Sequence, residues 1–175
     1  MKITKVIAFL MLSYILSTGI ALGQSNTTAS ANVSITLVKA LQINQIKGDL
    51  SFGELVLGSV STKLERTPDK GILFEVNGSA GRNVVVDYQN TLLNNRSVSE
   101  DTPIKSSIQF TPQVNTTYTN SNYSNVKSIS TGESHQLNDK DGDGVLYLWV
   151  GGKMDIDSEL PSGNYSGEFA ITVSY

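Results

Sequence analysis

The last eleven residues, Tyr165-Ser166-Gly167-Glu168-Phe169-Ala170-Ile171-Thr172-Val173-Ser174-Tyr175, restrict the fold more than any other stretch. Strand side chains alternate between two faces, so Phe169, Ile171, Val173 and Tyr175 share one side while Glu168, Ala170, Thr172 and Ser174 share the other. The pattern is that of a strand with one buried face. A turn cluster, Pro161-Ser162-Gly163-Asn164, precedes it, and the alternation runs on to Tyr175, so the terminal strand is expected inside a sheet.

The same alternation recurs along the chain. Val33, Ile35 and Leu37 alternate with Ser34, Thr36 and Val38, and Leu41, Ile43 and Ile46 continue a long first strand, bent near Lys39-Ala40. A short strand over residues 49–53 and weak alternation over residues 60–66 follow. Residues 72–76 and 84–88 flank a loop of Asn, Gly, Ser and Ala and are expected to form a hairpin with each other. Ile104, Ile108 and Phe110 mark a strand that should stop at Pro112, and residues 113–130, crowded with Asn, Thr, Ser and Tyr, read as a long solvated excursion. Residues 145–150, a bend at Gly151-Gly152, and residues 154–156 lead to the terminal strand. No stretch of a dozen residues carries helical periodicity. The fold class is all-β: a single immunoglobulin-like or pilin-like two-sheet antiparallel sandwich of about nine strands.

At the other end, residues 1–23 have the form of a secretory signal peptide. Lys2 and Lys5 form a basic start, residues 6–16 are nearly all apolar, and Ala21-Leu22-Gly23 offers small residues for cleavage before Gln24. The apolar run is short of the roughly 20 residues that a membrane span needs, and no second such run follows, so no membrane span is expected in the mature chain. Residues 24–31 form a flexible polar lead and residues 32–175 the sandwich domain. The expected location is beyond the secretory pathway, in the periplasm, at the cell surface or in the extracellular medium. With no cysteine in the chain, a lipoprotein anchor, thiol chemistry and disulfides are all excluded, and the core and the sheet hydrogen bonds must hold the fold. The two leader lysines depart on cleavage, leaving 11 basic against 16 acidic side chains, a net of −5. That balance, with no basic stripe, argues against a nucleic-acid partner.

Candidate chemistry is sparse. Asp139-Lys140-Asp141-Gly142-Asp143-Gly144 matches the first half of the calcium loop D-x-D-x-D-G, where carboxylates at positions 1, 3 and 5 supply hard oxygen ligands. Asp139, Asp141 and Asp143 are therefore the candidate calcium ligands, with Asp155, Asp157 and Glu159 as further donors if a hairpin brings them close. The match breaks at position 12, which is Val150 instead of Glu. A polar hairpin loop explains the same residues. His135, the single histidine, has no nucleophile-elbow serine near it in sequence and reads as a surface residue. Tyr118, Tyr123, Tyr147 and Trp149 are the candidate carbohydrate platform, although Tyr147 and Trp149 share a strand face with Val145 and read first as core. Asn-x-Ser/Thr triplets, as at Asn115 and Asn164, follow from loops rich in these residues. No catalytic constellation stands out, and the chain is expected not to be an enzyme.

Three segments carry a likeness to a known family: Leu50-Ser51-Phe52-Gly53 followed by Gly58-Ser59, then Val150-Gly151-Gly152, and above all Gly163-Asn164-Tyr165-Ser166-Gly167 leading to Phe169-Ala170-Ile171-Thr172-Val173-Ser174-Tyr175. They resemble the L-x-F-G, V-G-G and G-x-Y-x-G-x-F-x-V-T-V-x-Y pattern of the secreted bacterial family called domain of unknown function 4402. The resemblance implies a layout similar to pilus and spore-coat subunits and brings no activity with it. Its implied function is a fimbrial or adhesin-like surface subunit that self-associates or joins pilus-type subunits; the alternative is a monomeric calcium- or carbohydrate-binding module. In the first case Val33, Ile35 and Leu37 would be a donated strand. Phe169, Ile171, Val173 and Tyr175 would lie on the edge that receives one.

Overall fold

The structure, a computed structural model, describes residues 31–32, 34–95, 97, 106–118 and 122–175. Residues 1–30, on which the expected signal peptide and most of the expected lead fall, and Val33 lie outside the described residues. Among them the strands are β1 (Gln42–Lys47), β2 (Thr62–Arg66), β3 (Ile72–Ser79), β4 (Asn83–Tyr88), β5 (Thr91–Asn95), β6 (Ser107–Thr117), β7 (Lys127–Ile129), β8 (Glu133–Gln136), β9 (Asn138–Lys140), β10 (Asp143–Ile156), β11 (Tyr165–Ser166) and β12 (Ile171–Ser174). A single 3-10 turn, Pro68–Lys70, follows β2. The fold is an all-β sandwich in which every pairing is antiparallel. The larger sheet runs β1-β3-β10-β6-β5-β11, with β2 and β9 on β10 and β7 on β6; the smaller runs β12-β4-β8.

Strand β10 is the axis. It pairs with β3 through Val150, with β2 from Gly152 onward, and with β6 from Tyr147 to Met154. Gly151-Gly152 is thus the point where an unbroken strand changes partner on one side, and not the bend between two strands that the sequence suggested. A Cβ on Gly152 would lie 2.5 Å from the Phe110 ring, and φ there is +155°, so only glycine fits this crossing of backbone over aromatic ring. Leu146, Leu148 and Val150 point between the sheets and meet Val76, Val114, Val84 and Val86 in a core with almost no exposure. On the opposite face Val145, Tyr147 and Trp149 are buried with Leu73 beneath Tyr123. Burial on both faces explains the continuous apolar run of β10, as central strands show.

Three expectations need correction. Strands β3 and β4 do not pair with each other: both edges of β3 are taken by β1 and β10, and the chain crosses at residues 80–82 to the smaller sheet, where β4 lies between β12 and β8. The strand expected to stop at Pro112 continues to Thr117, and Val114, Asn115, Thr116 and Thr117 are buried. Proline is accommodated because β5 pairs with residues 107–110 of β6 and β7 with residues 114–116, leaving Pro112 in the gap between them. Finally, residues 34–41 are in no strand, and the first strand begins at Gln42.

Candidate functional site

The terminal segment joins the two sheets. Tyr165 and Ser166 pair with Asn95 and Asn94 in the larger sheet, residues 167–170 cross without a strand partner, and Ile171–Ser174 pairs with residues 85–88 of β4 in the smaller. Gly167 sits against the Leu92 carbonyl so closely that a Cβ would overlap it. Phe169 sets its ring edge-on to Phe110, 6.1 Å between centroids, and Ile171 and Val173 pack on the main core. Tyr175 reaches the far end of the sandwich, where its hydroxyl donates to the Lys39 carbonyl at 2.7 Å and accepts from the Ser79 N–H at 2.9 Å. Of the side chains expected to receive a donated strand, Phe169, Ile171 and Val173 are thus packed on the chain's own core, and Tyr175, 43% exposed, is engaged through its hydroxyl. What β12 leaves open is backbone: among the described residues no strand pairs with the side of β12 away from β4.

The inner face of the larger sheet is apolar along the full length of β10, yet the smaller sheet covers only part of it. Beyond Gly152 the same face carries Met154, Ile156 and Leu64, with Phe110, Ile108 and Leu93 on the neighbouring strands. Residues 50–57, in no strand, cover this half, and residues 160–167, which include β11 at the sheet edge, border it. Between them opens a groove of ≈ 750 Å³, floored by Leu64, Leu93, Ile108, Met154 and Ile156. A second hollow of ≈ 290 Å³, at Phe110 and Phe169, shares Leu50, Phe52, Leu93 and Gly167 with the first. The covering segment is tied at one end, where the Arg66 guanidinium donates to the Ser51 and Lys70 carbonyls, both at 2.7 Å. Its middle stands in solvent, with Val56 90% exposed.

Residues 34–38 are also exposed. Ile35 is 82% and Leu37 84% accessible, which for two β-patterned apolar side chains leaves most of their hydrophobic surface in water. Immediately after them the chain is fastened. Lys39 donates its N–H to Ser79 Oγ at 2.6 Å, its carbonyl accepts from Tyr175, and its ammonium pairs with Asp143.

The three candidate calcium ligands are not gathered. Asp141 and Gly142 form a two-residue hairpin turn, φ +56° and +88°, as a type I′ turn requires. Lys140 lies opposite Asp143 and Asp139 opposite Gly144. Since directly opposed residues share a face and neighbours alternate, Asp139 and Asp143 point to opposite sides of the hairpin. Asp139 Oδ1 accepts the Gly142 N–H at 2.9 Å, while Asp143 is engaged by Lys39. Asp155 is at the other end of β10, facing Lys63. No group of three potential metal-ligating side chains occurs among the described residues.

The aromatic candidates form packing, as their shared face suggested. Tyr147 and Trp149 are buried, Trp149 Nε1 donates to Thr117 Oγ1 at 3.1 Å, and Tyr123 stands edge-on to Trp149 at 5.2 Å. No ring of this pair offers a free face for a sugar. Lys140 lies over Tyr147 and donates to its hydroxyl at 3.1 Å, which raises the lysine's pKa. His135, expected at the surface, is instead buried: it sits opposite the buried Val84 in β8 and its Nδ1 is 3.1 Å from the Tyr118 hydroxyl. Burial lowers its pKa, and Nε2 has no hydrogen-bond partner, with Glu133 Oε1 3.8 Å away. Glu133 in turn is held below the usual carboxylate range by the Ser130 N–H and by Lys127.

These crossings of glycine and backbone lie in the segments on which the sequence resembled a known family. A model of that family, described as domain of unknown function (DUF4402), matches residues 41–175. The chain belongs to it. No curated protein matches the chain. The matched region of this DUF4402 member begins just after the Lys39 fastening, so Ile35 and Leu37 lie outside it. The groove escaped sequence reading because its floor is assembled from β2, β5, β6 and β10. The one local signal was Leu55-Val56-Leu57 between Gly53 and Gly58, an apolar run too exposed to be core.

Proposed function

We propose that this protein is a non-enzymatic, exported structural subunit of the periplasm, cell surface or extracellular medium that associates with copies of itself, in the manner of a fimbrial or adhesin-like component. The observation that carries the reading is the pair Ile35 and Leu37, alternating, apolar and in water, directly ahead of a firmly held Lys39. Apolar side chains at i and i+2 in an extended segment are what strand addition to another sheet buries, with main-chain bonds giving affinity and alternate side chains giving register. The unpaired side of β12 supports it as well, because an open edge is a template for another strand. Export rests on the leader-like residues 1–23, and the excess of 16 acidic over 13 basic side chains, a net of −3, suits a protein that must stay soluble until it assembles.

Sedimentation velocity of the mature chain, residues 24–175, tests this. Species heavier than the monomer should grow with concentration, and Ile35→Asp with Leu37→Asp should abolish them without changing the melting temperature. A wild-type chain that remains monomeric throughout would refute self-association.

A further inference from the structure

We infer that the Tyr175 hydroxyl is a positioning group for self-association: it clasps the backbone of Lys39 and so fixes the direction in which the exposed apolar segment ending at Val38 leaves the folded domain. The inference rests on the self-association proposed above and adds the residue that presents the segment. Three observations carry it.

The first is the closure of the clasp. The Tyr175 hydroxyl donates to the Lys39 carbonyl at 2.7 Å and accepts the Ser79 N–H at 2.9 Å, while Ser79 Oγ accepts the Lys39 N–H at 2.6 Å. Lys39, Ser79 and Tyr175 thus form a closed circuit of three hydrogen bonds. The peptide units on either side of Lys39 are planar. The circuit holds one of them through its N–H and the other through its C=O, so the path of the chain is set on both sides of this residue. The ion pair of the Lys39 ammonium with Asp143 is half exposed and adds little; the backbone bonds hold the chain.

The second is the room made for the hydroxyl. A Cβ at Gly78 would come within 2.6 Å of the Tyr175 hydroxyl, so a larger residue there would push the hydroxyl off its two partners. Ile171 and Val173 pack on the main core. The Tyr175 ring instead remains 43% exposed, with the Arg82 guanidinium 5.5 Å from its centre. At residue 175 the hydroxyl, and not burial of the ring, ties distant segments together.

The third is place. Ser79 ends β3, Tyr175 follows β12, and Lys39 lies between Leu37, 84% exposed, and Leu41, which packs on the main core. The clasp therefore sits where free chain becomes packed chain and binds that point to both sheets. Without it the free arm would extend to residue 40, and two more residues would have to be ordered when a second copy binds. Fixing one residue's backbone in advance is worth roughly tenfold in affinity.

Sedimentation equilibrium of residues 24–175 tests this with Tyr175→Phe, which removes the hydroxyl and keeps the ring, and with Ser79→Ala, which removes the acceptor of the Lys39 N–H. Tyr165→Phe is the structural control: its hydroxyl donates to the Pro161 carbonyl at 2.8 Å, in β11, at the opposite edge of the larger sheet from β1. Tyr175→Phe should weaken association by about tenfold and speed exchange of the Lys39 amide. Ser79→Ala should act in the same direction by less, and it keeps the test open if Tyr175→Phe fails to fold. Tyr165→Phe should leave both readouts unchanged. Wild-type association in both clasp variants would overturn the positioning role and leave self-association standing. An equal loss in Tyr165→Phe would reduce the effect to general stability and overturn the inference, as would tighter association of Tyr175→Phe. A wild-type Lys39 amide that exchanges as fast as that of Tyr175→Phe would show that the clasp does not hold in solution. A wild-type chain that never associates would remove the self-association reading and this inference with it.

Discussion

The two halves of the inner face of β10 are alike in sequence and unlike in cover. Leu146, Leu148 and Val150 lie under the smaller sheet, where Val84 and Val86 meet them and nothing is exposed. Met154 and Ile156 present the same kind of surface to irregular chain and a groove. The difference is backbone: strands covering the first half have their N–H and C=O groups paired in a sheet, whereas residues 48–61 cover the second half in no strand at all. An apolar face covered by strands is held by side-chain packing and by the sheet's own ladder. The same face covered by chain in no strand is held by side-chain packing alone, from Leu50, Phe52 and Leu57.

The largest expected effect falls in the closed half. Leu148→Ala should cost about 2–5 kcal/mol of stability through lost burial and the cavity left behind, read from urea denaturation, whereas Leu57→Ala on the groove wall should cost less than about 1 kcal/mol. Equal losses at the two sites would show that the groove half is packed as tightly as the core and would erase the distinction.

A smaller effect concerns pH in the closed half. His135 is buried with its pKa lowered, close to Tyr118, Glu133 and the Lys127 that pairs with Glu133. Below its ordinary value of 6.5 the unfolded chain takes up a proton that the folded chain resists, so this contribution is whole above pH 6.5 and is lost as pH falls toward the folded pKa. Glu133, whose pKa is also lowered, adds a loss in the same direction below its ordinary 4.5. The melting temperature should therefore decline on acidification from pH 6.5, and His135→Gln should flatten the upper part of that decline. An unchanged slope in the variant would mean that the imidazole is hydrated in the folded protein.

What the sequence made legible follows from range. Alternation is local, so the all-β class, the turn at Asp141-Gly142 and the strand over Ile171–Ser174 could be read directly; the single strand expected over residues 165–175 is instead broken at 167–170, where the segment passes from one sheet to the other. Partner choice is not local: residues 72–76 and 84–88 looked like a hairpin because they are adjacent and apolar, but β10, seventy residues on, takes the edge of β3 that β4 would need. His135 read as a surface residue because nothing in its local sequence gave a lone histidine a role; its place opposite the buried Val84 decides otherwise. The candidate calcium ligands are not gathered for the same kind of reason: the two-residue turn at Asp141-Gly142 sets Asp143 opposite Lys140, so Asp139, the neighbour of Lys140, points to the other face. The groove was invisible because it is a missing cover, and only the assembled sheets show which half lacks one.

The most direct test of the self-association account is amide hydrogen exchange on residues 24–175 at rising protein concentration. Amides of residues 146–150 should be slow throughout, as core strands open only on global unfolding. Those of residues 34–38, in no strand and exposed, should exchange quickly in the dilute monomer and slow as molecules associate. Association that leaves this segment unprotected would contradict the account.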